Sequence, residues 1–392
     1  MNYKELAEQA LDYIVEQRRW CHQNPELSLE EVQTTEHIAA ELQKMGYTEI
    51  QRFPDHTGLC AMLRGGKAEK ACRTVALRAD IDALPVEEKT GLPFASRNKS
   101  VMHACGHDCH IAMLLTATRI LHDMKEELCG TVKLAFQPAE EVALGAKSMV
   151  EQGALDGVDA CFAIHVWTDV KSGMVSLEAG PRMASADEFH ITVKGKGCHG
   201  AQPERGVDAA VVTAAIINNL QSVVSREISP MDPAVVTVGT IQAGTRWNVV
   251  AENSYMTGTT RCFSNEVWET FEERMERVIK GTAEAYRAEA ELEYLRIVPP
   301  TVNDEAVVSI AQKSAVAVLG ENCLASNPAT TGGEDFSYFM QRVPGAIALL
   351  GTGNEACGAV WPNHSGNFCV DEAQLLKGAM LYAQVAMDFN AQ

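Results

Sequence analysis

The stretch TVALRAD, residues 74–80, is typical of a buried β-strand that ends in charged side chains. Three further runs in this part of the chain are predicted to be strands: GLCAMLRG at 58–65, TVKLAFQP at 131–138 and DACFAIHVW at 159–167. Helical patterns alternate with these strands at 3–23, 29–46 and 110–124. Strands that alternate with helices predict an α/β fold with a helix-covered, mostly parallel sheet.

The pattern changes near residue 183. Three half-exposed strands are predicted there: EFHITVKGKG at 188–197, AVVTVGTIQAG at 234–244 and AENSYMTGTTRCF at 251–263. Helical patterns lie at 206–226 and 265–290. This order is typical of a small α+β domain with an antiparallel sheet. We therefore predict a catalytic domain formed by residues 1–182 and 295–392, which residues 183–294 interrupt as an inserted domain.

Length and composition restrict the class of protein. A chain of 392 residues is long enough for two domains. The net charge of −19, from 33 basic and 52 acidic residues, argues against nucleic acid or an anionic membrane as a partner. No apolar run approaches the roughly 18 residues of a membrane span. The first residues lack the pattern of an export signal, and the twelve cysteines are scattered, so we expect reduced thiols in a cytoplasmic protein.

Residues 101–113, VMHACGHDCHIAM, concentrate histidine and cysteine. A disulfide knot, a metal site, a nucleophilic cysteine and chance composition are all open explanations. The scattered distribution of the other cysteines argues against a disulfide knot. Cys105 and His107 are two positions apart, so in an extended loop their side chains point the same way.

Further polar side chains occur at the ends of the predicted strands: Arg78, Asp80 and Asp82 after TVALRAD, Glu140 and Glu141 after TVKLAFQP, and His165 in DACFAIHVW. Taken alone, His165 is as easily a buried core histidine, and two adjacent glutamates are usually a solvated turn. Ligands of parallel α/β sheets bind beyond the carboxyl ends of the strands. Together with the loop that contains Cys105 and His107, four segments bring such residues to this edge, and we therefore predict a site there.

The residue types in these segments favour a metal centre. A thiolate, imidazoles and carboxylates suit zinc or another borderline divalent ion. Glu140 and Glu141 point apart, so one can bind metal while the other takes a proton from water. A nucleophilic Cys105 would need a positioned base and an oxyanion hole, and it leaves the glutamates without a role. The N-cap of the following helix is an alternative role for Asp108. His103, Asp108, Cys109 and His110 are predicted to be supporting or structural residues.

Seven motifs occur in a familiar order: RADIDALP (78–85), MHACGHDCHIAM (102–113), FQPAEE (136–141), AIHVW (163–167), GCHGAQP (197–203), GGEDFSYF (332–339) and HSGNF (364–368). Through them the chain resembles the aminoacylase/carboxypeptidase metallopeptidase family. It is most similar to the amidohydrolase branch, which contains hippurate hydrolases, N-acyl-amino-acid amidohydrolases and indole-acetyl-amino-acid hydrolases. The resemblance extends from about residue 10 to residue 385.

The resemblance implies a centre of two divalent metal ions, zinc or manganese first and cobalt or nickel as alternatives. The implied metal ligands are Cys105, His107, Glu141, His165 and His364. Glu140 matches the general base of the family, and Asp80 matches an aspartate that supports the metals. Relatives in other branches have a metal-binding histidine where this chain has Arg78, which we exclude because arginine is permanently protonated.

The inserted domain resembles the lid and dimerisation domain of the family. His199 matches a lid histidine that polarises the scissile carbonyl. Asn248 and Arg261 match positions that hold the carboxylate of the substrate, a group that arginine binds well. A homodimer through the lid is therefore expected. Glu334 and Asp335 are expected only to favour the start of a helix.

The expected activity is hydrolysis of an N-acyl amino acid to a carboxylate and a free amino acid. A dipeptidase or carboxypeptidase, and an N-acetyldiaminopimelate deacetylase, would use the same centre and differ only in pocket shape. A metal-binding regulatory protein without turnover is the non-enzyme alternative. Glu140 argues against it, because a protein that only binds metal does not need an additional carboxylate beside the ions.

Overall fold

The computed structural model of the chain describes Leu6 and residues 9–67 and 73–392. The predicted opening helix therefore begins partly outside the described residues. The chain divides into two compact units. The first comprises the chain as far as Gly180, Asn303–Pro328 and Asp335–Gln392; the second comprises Pro181–Val302 and Ala329–Glu334.

The described helices, in chain order, are α1 (Leu11–Gln23), α2 (Val32–Lys44), α3 (His107–Asp123), α4 (Gly145–Glu151), α5 (Ala209–Ser222), α6 (Asn265–Ala285), α7 (Glu305–Leu319), α8 (Ser337–Arg342) and α9 (Leu375–Asn390). The strands are β1 (Ile50–Arg52), β2 (Leu59–Arg64), β3 (Thr74–Asp80), β4 (Thr131–Gln137), β5 (Ala160–Lys171), β6 (Val175–Ser176), β7 (Gly180–Met183), β8 (Ala186–Lys194), β9 (Ala234–Ala243), β10 (Asn253–Cys262), β11 (Glu289–Val298), β12 (Thr301–Asn303) and β13 (Gly345–Gly353).

The first unit is built on a seven-stranded sheet in the order β1-β2-β4-β3-β5-β13-β6. The four central strands β4, β3, β5 and β13 are parallel, and the pairings at both edges are antiparallel. The predicted α/β fold is confirmed, with a sheet that is mixed at its edges, because strand direction is not encoded in a local apolar run. Since β3, β4 and β5 are parallel, their carboxyl ends meet at one edge of the sheet.

Helix α3 carries the histidine-rich segment and begins at His107 rather than at the predicted His110. Gly106 precedes it with a φ of 90°, and a Cβ atom there would lie 2.3 Å from Val166 Cγ2, so this turn requires glycine. Gly106 is the N-cap, so the alternative that Asp108 caps this helix is excluded. The Asp108 carboxylate lies in the first turn, where it accepts a hydrogen bond from Arg18 Nε at 2.9 Å.

The second unit has a four-stranded antiparallel sheet in the order β11-β8-β10-β9. The side chains of Phe189, Met256 and Phe271 are fully buried in the core that this sheet forms with α5 and α6. The predicted boundary at 294/295 falls inside β11, which continues to pair with β8 as far as Val298. In neither unit is a described helix both long and apolar enough to cross a membrane.

Candidate metal centre

The polar side chains that are predicted to form the site lie at the carboxyl edge of the first sheet and in the neighbouring loops. Asp80 ends β3, Glu140 and Glu141 follow β4, His165 lies in β5, Cys105 and His107 lie before and at the start of α3, and His364 lies between β13 and α9. Four overlapping groups of the first unit have potential ligand atoms within 4.8 Å of one another: Cys105–His107–His165, Cys105–Glu141–His364, His107–Glu140–Glu141 and Asp80–His107–His110. The five predicted ligands thus lie close together in the first unit.

His107 is oriented by the backbone and side chain of Asp82. Its Nδ1 donates to the Asp82 carbonyl oxygen at 2.9 Å and lies 3.2 Å from Oδ1. Its Nε2 is buried and has no hydrogen-bond partner among the described residues. This atom faces carboxylate oxygens of Asp80 at 3.6 Å and of Glu140 and Glu141 at 3.9 Å. A proton or a cation must lie among these groups, because a lone pair and three carboxylates would otherwise repel one another.

The pKa of His107 also indicates that positive charge is favoured at this position. Burial on its own would lower the pKa of the imidazole, but the charge of Asp80 and the hydrogen bond to Asp82 outweigh it and raise the pKa well above its usual value. A divalent cation in the same place would satisfy these negative charges and displace the proton.

Glu141 supplies a second unsatisfied atom. Its Oε1 is buried and, within the described part of the chain, has no hydrogen-bond partner, while Oε2 lies 3.5 Å from His364 Nε2. Burial, together with the charge of Asp82, raises the pKa of Glu141 to about 7, although His107 acts in the opposite direction. A buried carboxylate oxygen without a donor is costly unless it binds a cation. The donor set therefore fits a metal centre.

Cys105 and His165 lie on the other side of this group, with Sγ and Nε2 separated by 3.5 Å. His165 Nδ1 donates to the Val166 carbonyl oxygen at 2.7 Å, which leaves the lone pair on Nε2. Burial and the charge of Glu141 raise the pKa of the Cys105 thiol. A nucleophilic cysteine needs a lowered pKa, so this environment disfavours the nucleophile hypothesis and suits a thiol that a metal deprotonates.

His364 could not be found from any local pattern, and only the family resemblance selected it. The residue has a left-handed backbone with a φ of 68°, and its N–H donates to the Ala104 carbonyl oxygen at 2.8 Å. This hydrogen bond ties the loop after β13 to the loop that carries Cys105. The exposed fraction of the His364 side chain is 57%, whereas that of Glu141 is 8%.

Asp80 and His110 form a hydrogen-bonded pair next to the predicted ligand His107. His110 Nδ1 donates to Asp80 Oδ1 at 2.5 Å, and its Nε2 accepts the Val166 N–H at 2.9 Å. Both ring nitrogens are therefore occupied, so His110 is not available as a ligand. Arg78 donates to Asp80 Oδ2 at 2.7 Å and to Asp335 Oδ1 at 3.1 Å. These contacts agree with the exclusion of Arg78 from the ligands.

Asp82 is a supporting residue whose specific role no local sequence pattern predicts. Besides its contact with His107, its Oδ2 accepts the Glu141 N–H at 3.0 Å and the Ser28 hydroxyl at 2.7 Å. One buried carboxylate therefore orients two of the predicted ligands. Its alternation with Asp80 after β3 placed it at the correct edge of the sheet, but the partners that define its role come from three other segments.

The remaining predicted residues lie in the second unit. His199 Nδ1 accepts the Ala201 N–H at 3.1 Å, and the Gly200 N–H donates to the Asn248 carbonyl oxygen at 2.9 Å, so the segments of His199 and Asn248 are paired. The Asn248 Oδ1 atom is buried and lacks a hydrogen-bond partner among the described residues. Arg261, on β10, donates to Thr259 Oγ1 at 2.6 Å and lines a surface cavity of about 370 Å³.

Residues 76–388 match the model of the peptidase family M20/M25/M40. Thermostable carboxypeptidase 1 of Saccharolobus solfataricus is 39% identical over 382 residues, which cover 97% of this chain and 96% of the relative. The N-acetylcysteine deacetylase of Bacillus subtilis is 40% identical over 376 residues, or 95% of this chain and 96% of its own. A solved dinuclear metal-binding peptidase of the M20 family from Bacillus subtilis is 35% identical, with a TM-score of 0.84 and coverage of 98% of this chain and 99% of that one.

Proposed function

The chain belongs to the peptidase family M20/M25/M40, and from this premise we propose that it is a metal-dependent amidohydrolase that releases a free amino acid from an N-acyl amino acid. The observation that carries the proposal is the pair of buried, unsatisfied atoms His107 Nε2 and Glu141 Oε1 in a group of imidazoles, carboxylates and a thiol. Such atoms are satisfied when the protein holds cations.

Two divalent metal ions are the cofactors, and we propose zinc or manganese as their identity. The residues that would hold them are Cys105, His107, Glu141, His165 and His364. When bound, the ions supply a more acidic water molecule and polarise the scissile carbonyl group.

Glu140 is proposed as the general base. Its carboxylate lies 3.9 Å from His107 Nε2, at the rim of the ligand group, and 11% of its side chain is exposed. It takes a proton from the attacking water and later gives it to the departing amide nitrogen. Asp80 accepts hydrogen bonds from Arg78 and His110. We propose that its carboxylate provides a negative charge in a fixed position beside the metal ligands.

In the second unit, we assign His199 to the carbonyl oxygen of the substrate, where a positioned donor stabilises the developing negative charge. The unsatisfied Oδ1 of Asn248 supports a ligand role for this side chain as well, because a buried polar atom normally has a partner. Arg261 is proposed to bind the carboxylate of the amino acid.

The class of substrate follows from what two relatives share. A carboxypeptidase and an N-acetylcysteine deacetylase both cleave an amide whose nitrogen belongs to an amino acid with a free carboxylate. We propose the same leaving group here. Because one of these relatives is a carboxypeptidase, a substrate whose acyl part is a peptide is the second candidate.

We also propose a homodimer that forms through the second unit. Strand β9 is an edge of its sheet and exposes Val235 and Ile241, and Trp247, which follows β9, is 90% exposed. An edge strand with apolar side chains is suited to pairing with a second copy. The cytoplasm is the proposed location, since all eleven described cysteines are free thiols.

The test is incubation of the metal-loaded protein with N-acetyl, N-benzoyl and longer N-acyl amino acids and with dipeptides, followed by mass spectrometry of the products. Glu140→Gln is the control, and it is expected to lose turnover while it keeps its metal content. Release of amino acids by the native protein alone supports the proposal. Cleavage of dipeptides only would favour the peptidase, and no cleavage by a protein with two bound metals would refute the amidohydrolase function.

A further inference from the structure

The turn that carries Glu140 and Glu141 lies between two buried carboxylates. Glu31 Oε1 accepts the Ala139 N–H at 2.8 Å, and Asp82 Oδ2 accepts the Glu141 N–H at 3.0 Å. The backbone is thus held on both sides of Glu140. The two acceptors come from distant parts of the chain, before α2 and after β3.

The turn needs such restraint because its backbone is unusual. Ala139 has a φ of 53° and Ala143 a φ of 56°, values that residues with a Cβ atom rarely adopt. The Ala143 N–H donates to the Glu140 carbonyl oxygen at 2.8 Å, which closes the turn on itself. A conformation of this kind persists only where the surroundings fix it, and it concentrates at functional sites.

The Glu31 side chain caps no N–H group of its own helix. It occupies the N-cap position of α2, where a side chain normally accepts an N–H of the first turn. Glu26 performs that task instead, since its carboxylate accepts the N–H groups of Gln33 at 3.1 Å and Thr34 at 2.8 Å. The Glu31 carboxylate is therefore left for the Ala139 N–H.

The Glu31 side chain is itself fixed in place. It is fully buried, and its second oxygen accepts the hydroxyl of Thr57. The neighbouring Thr35 hydroxyl donates to the Glu31 carbonyl oxygen at 2.6 Å and accepts the Gly58 N–H at 2.9 Å. A buried carboxylate with fixed partners on both oxygens is a rigid acceptor for the turn.

We propose that Glu31 is a positioning residue for hydrolysis, which through the Ala139 N–H holds the Glu140 carboxylate in the orientation that proton transfer requires. The inference rests on the proposed role of Glu140 as general base. Glu31 does not touch the ligands, so its loss is expected to change turnover while metal binding stays intact.

The experiment compares Glu31→Ala, Glu31→Gln, Thr57→Val and the matched control Glu26→Ala in the full-length metal-loaded protein. Glu31→Ala is expected to lower kcat about 10- to 100-fold, as a displaced catalytic group does, with KM and metal content close to native. Glu31→Gln is expected to restore most of kcat, because its amide oxygen still accepts the Ala139 N–H. Glu26→Ala is expected to lower Tm and to leave kcat close to native.

Hydrogen–deuterium exchange gives a readout that does not depend on activity. The peptide that contains Ala139–Ala143 is expected to exchange faster in Glu31→Ala and at the native rate in Glu26→Ala. If Glu31→Ala does not fold, Thr57→Val decides the question: we expect it to fold and to show a smaller fall in kcat with native metal content, and native kcat in this variant would overturn the inference.

Native kcat or native exchange of this peptide in Glu31→Ala would overturn the inference, as would a Glu31→Gln protein as impaired as Glu31→Ala. Faster exchange in Glu31→Ala, together with a native protein that cleaves no N-acyl amino acid, would refute the proposed function and leave Glu31 as the restraint of the turn.

Discussion

Replacement of Asp82 by asparagine should weaken metal binding without unfolding the protein. The carboxylate is completely buried and meets three donors: His107 Nδ1, the Glu141 N–H and the Ser28 hydroxyl. An asparagine has one acceptor oxygen and a donor NH₂ group in the same space. If its oxygen stays with Glu141 and Ser28, its NH₂ faces the proton on His107 Nδ1.

The magnitude follows from the contacts that are lost. A hydrogen bond to a charged group contributes about 1.5–3 kcal/mol, and Asp82→Asn removes such a bond to His107 and the negative charge that makes this imidazole a better ligand. Each 1.4 kcal/mol is about a factor of ten in affinity, so the metal dissociation constant should rise about 10- to 100-fold. The Asp82 carbonyl oxygen, 2.9 Å from His107 Nδ1, remains and limits the loss.

The assay is metal content after dialysis against a graded series of chelator concentrations, measured by elemental mass spectrometry. Asp187→Asn is the matched control. Asp187 is equally buried, but it accepts hydrogen bonds from Tyr294 at 3.1 Å and from the Ile297 N–H at 2.9 Å in the second unit. Metal retention by Asp82→Asn equal to that of the native protein would show that Asp82 does not orient the ligands.

Two predictions concern pH. Burial raises the pKa of Glu141 to about 7 in the metal-free protein, so below that pH the carboxyl must release a proton before it binds metal; affinity should therefore fall on acidification. Calorimetric metal titrations in two buffers of different ionisation enthalpy measure the proton release, and identical heats in both would contradict it. Burial lowers the pKa of His103 to about 4, and the unfolded chain, with a histidine pKa of about 6.5, binds the proton first as pH falls. The free energy of unfolding of the metal-free protein should therefore decrease by up to about 3 kcal/mol between pH 6.5 and pH 4; His103→Gln should flatten this slope in urea titrations, and an unchanged slope would count against the buried neutral imidazole.

The strands that are predicted correctly are those whose local sequence pattern is sufficient to define them. The run 74–80 coincides with β3, and 58–65 contains β2, because both are apolar segments between turn residues. Helix α3 begins before its predicted start at His110, because His107, Asp108 and Cys109 do not have the apolar pattern of a buried helical turn. The antiparallel edges of the first sheet depend on chain paths that no local pattern contains.

The same distinction applies to the candidate site. Cys105, His107 and the two adjacent glutamates stand out as residue types and by spacing, whereas His364 lies in a loop with no pattern of its own. Asp82 and Glu31 could not have been assigned, because their roles are defined by the N–H groups of Glu141 and Ala139, which only the fold brings to them.

The position of β13 has a consequence for how the protein is made. This strand lies between β5 and β6 in the sheet, yet the ribosome synthesises it after the whole contiguous part of the second unit, Pro181–Val302. Until Gly345–Gly353 emerge from the ribosome, one edge of β5 has no partner strand, and His364, which follows β13, has not emerged either. The contiguous part of the second unit can therefore fold during synthesis, while the first sheet stays incomplete until β13 is available. The five predicted metal ligands can then come together only after His364 has emerged, and a nascent chain stalled before β13 emerges would expose an apolar strand edge of β5 that invites aggregation.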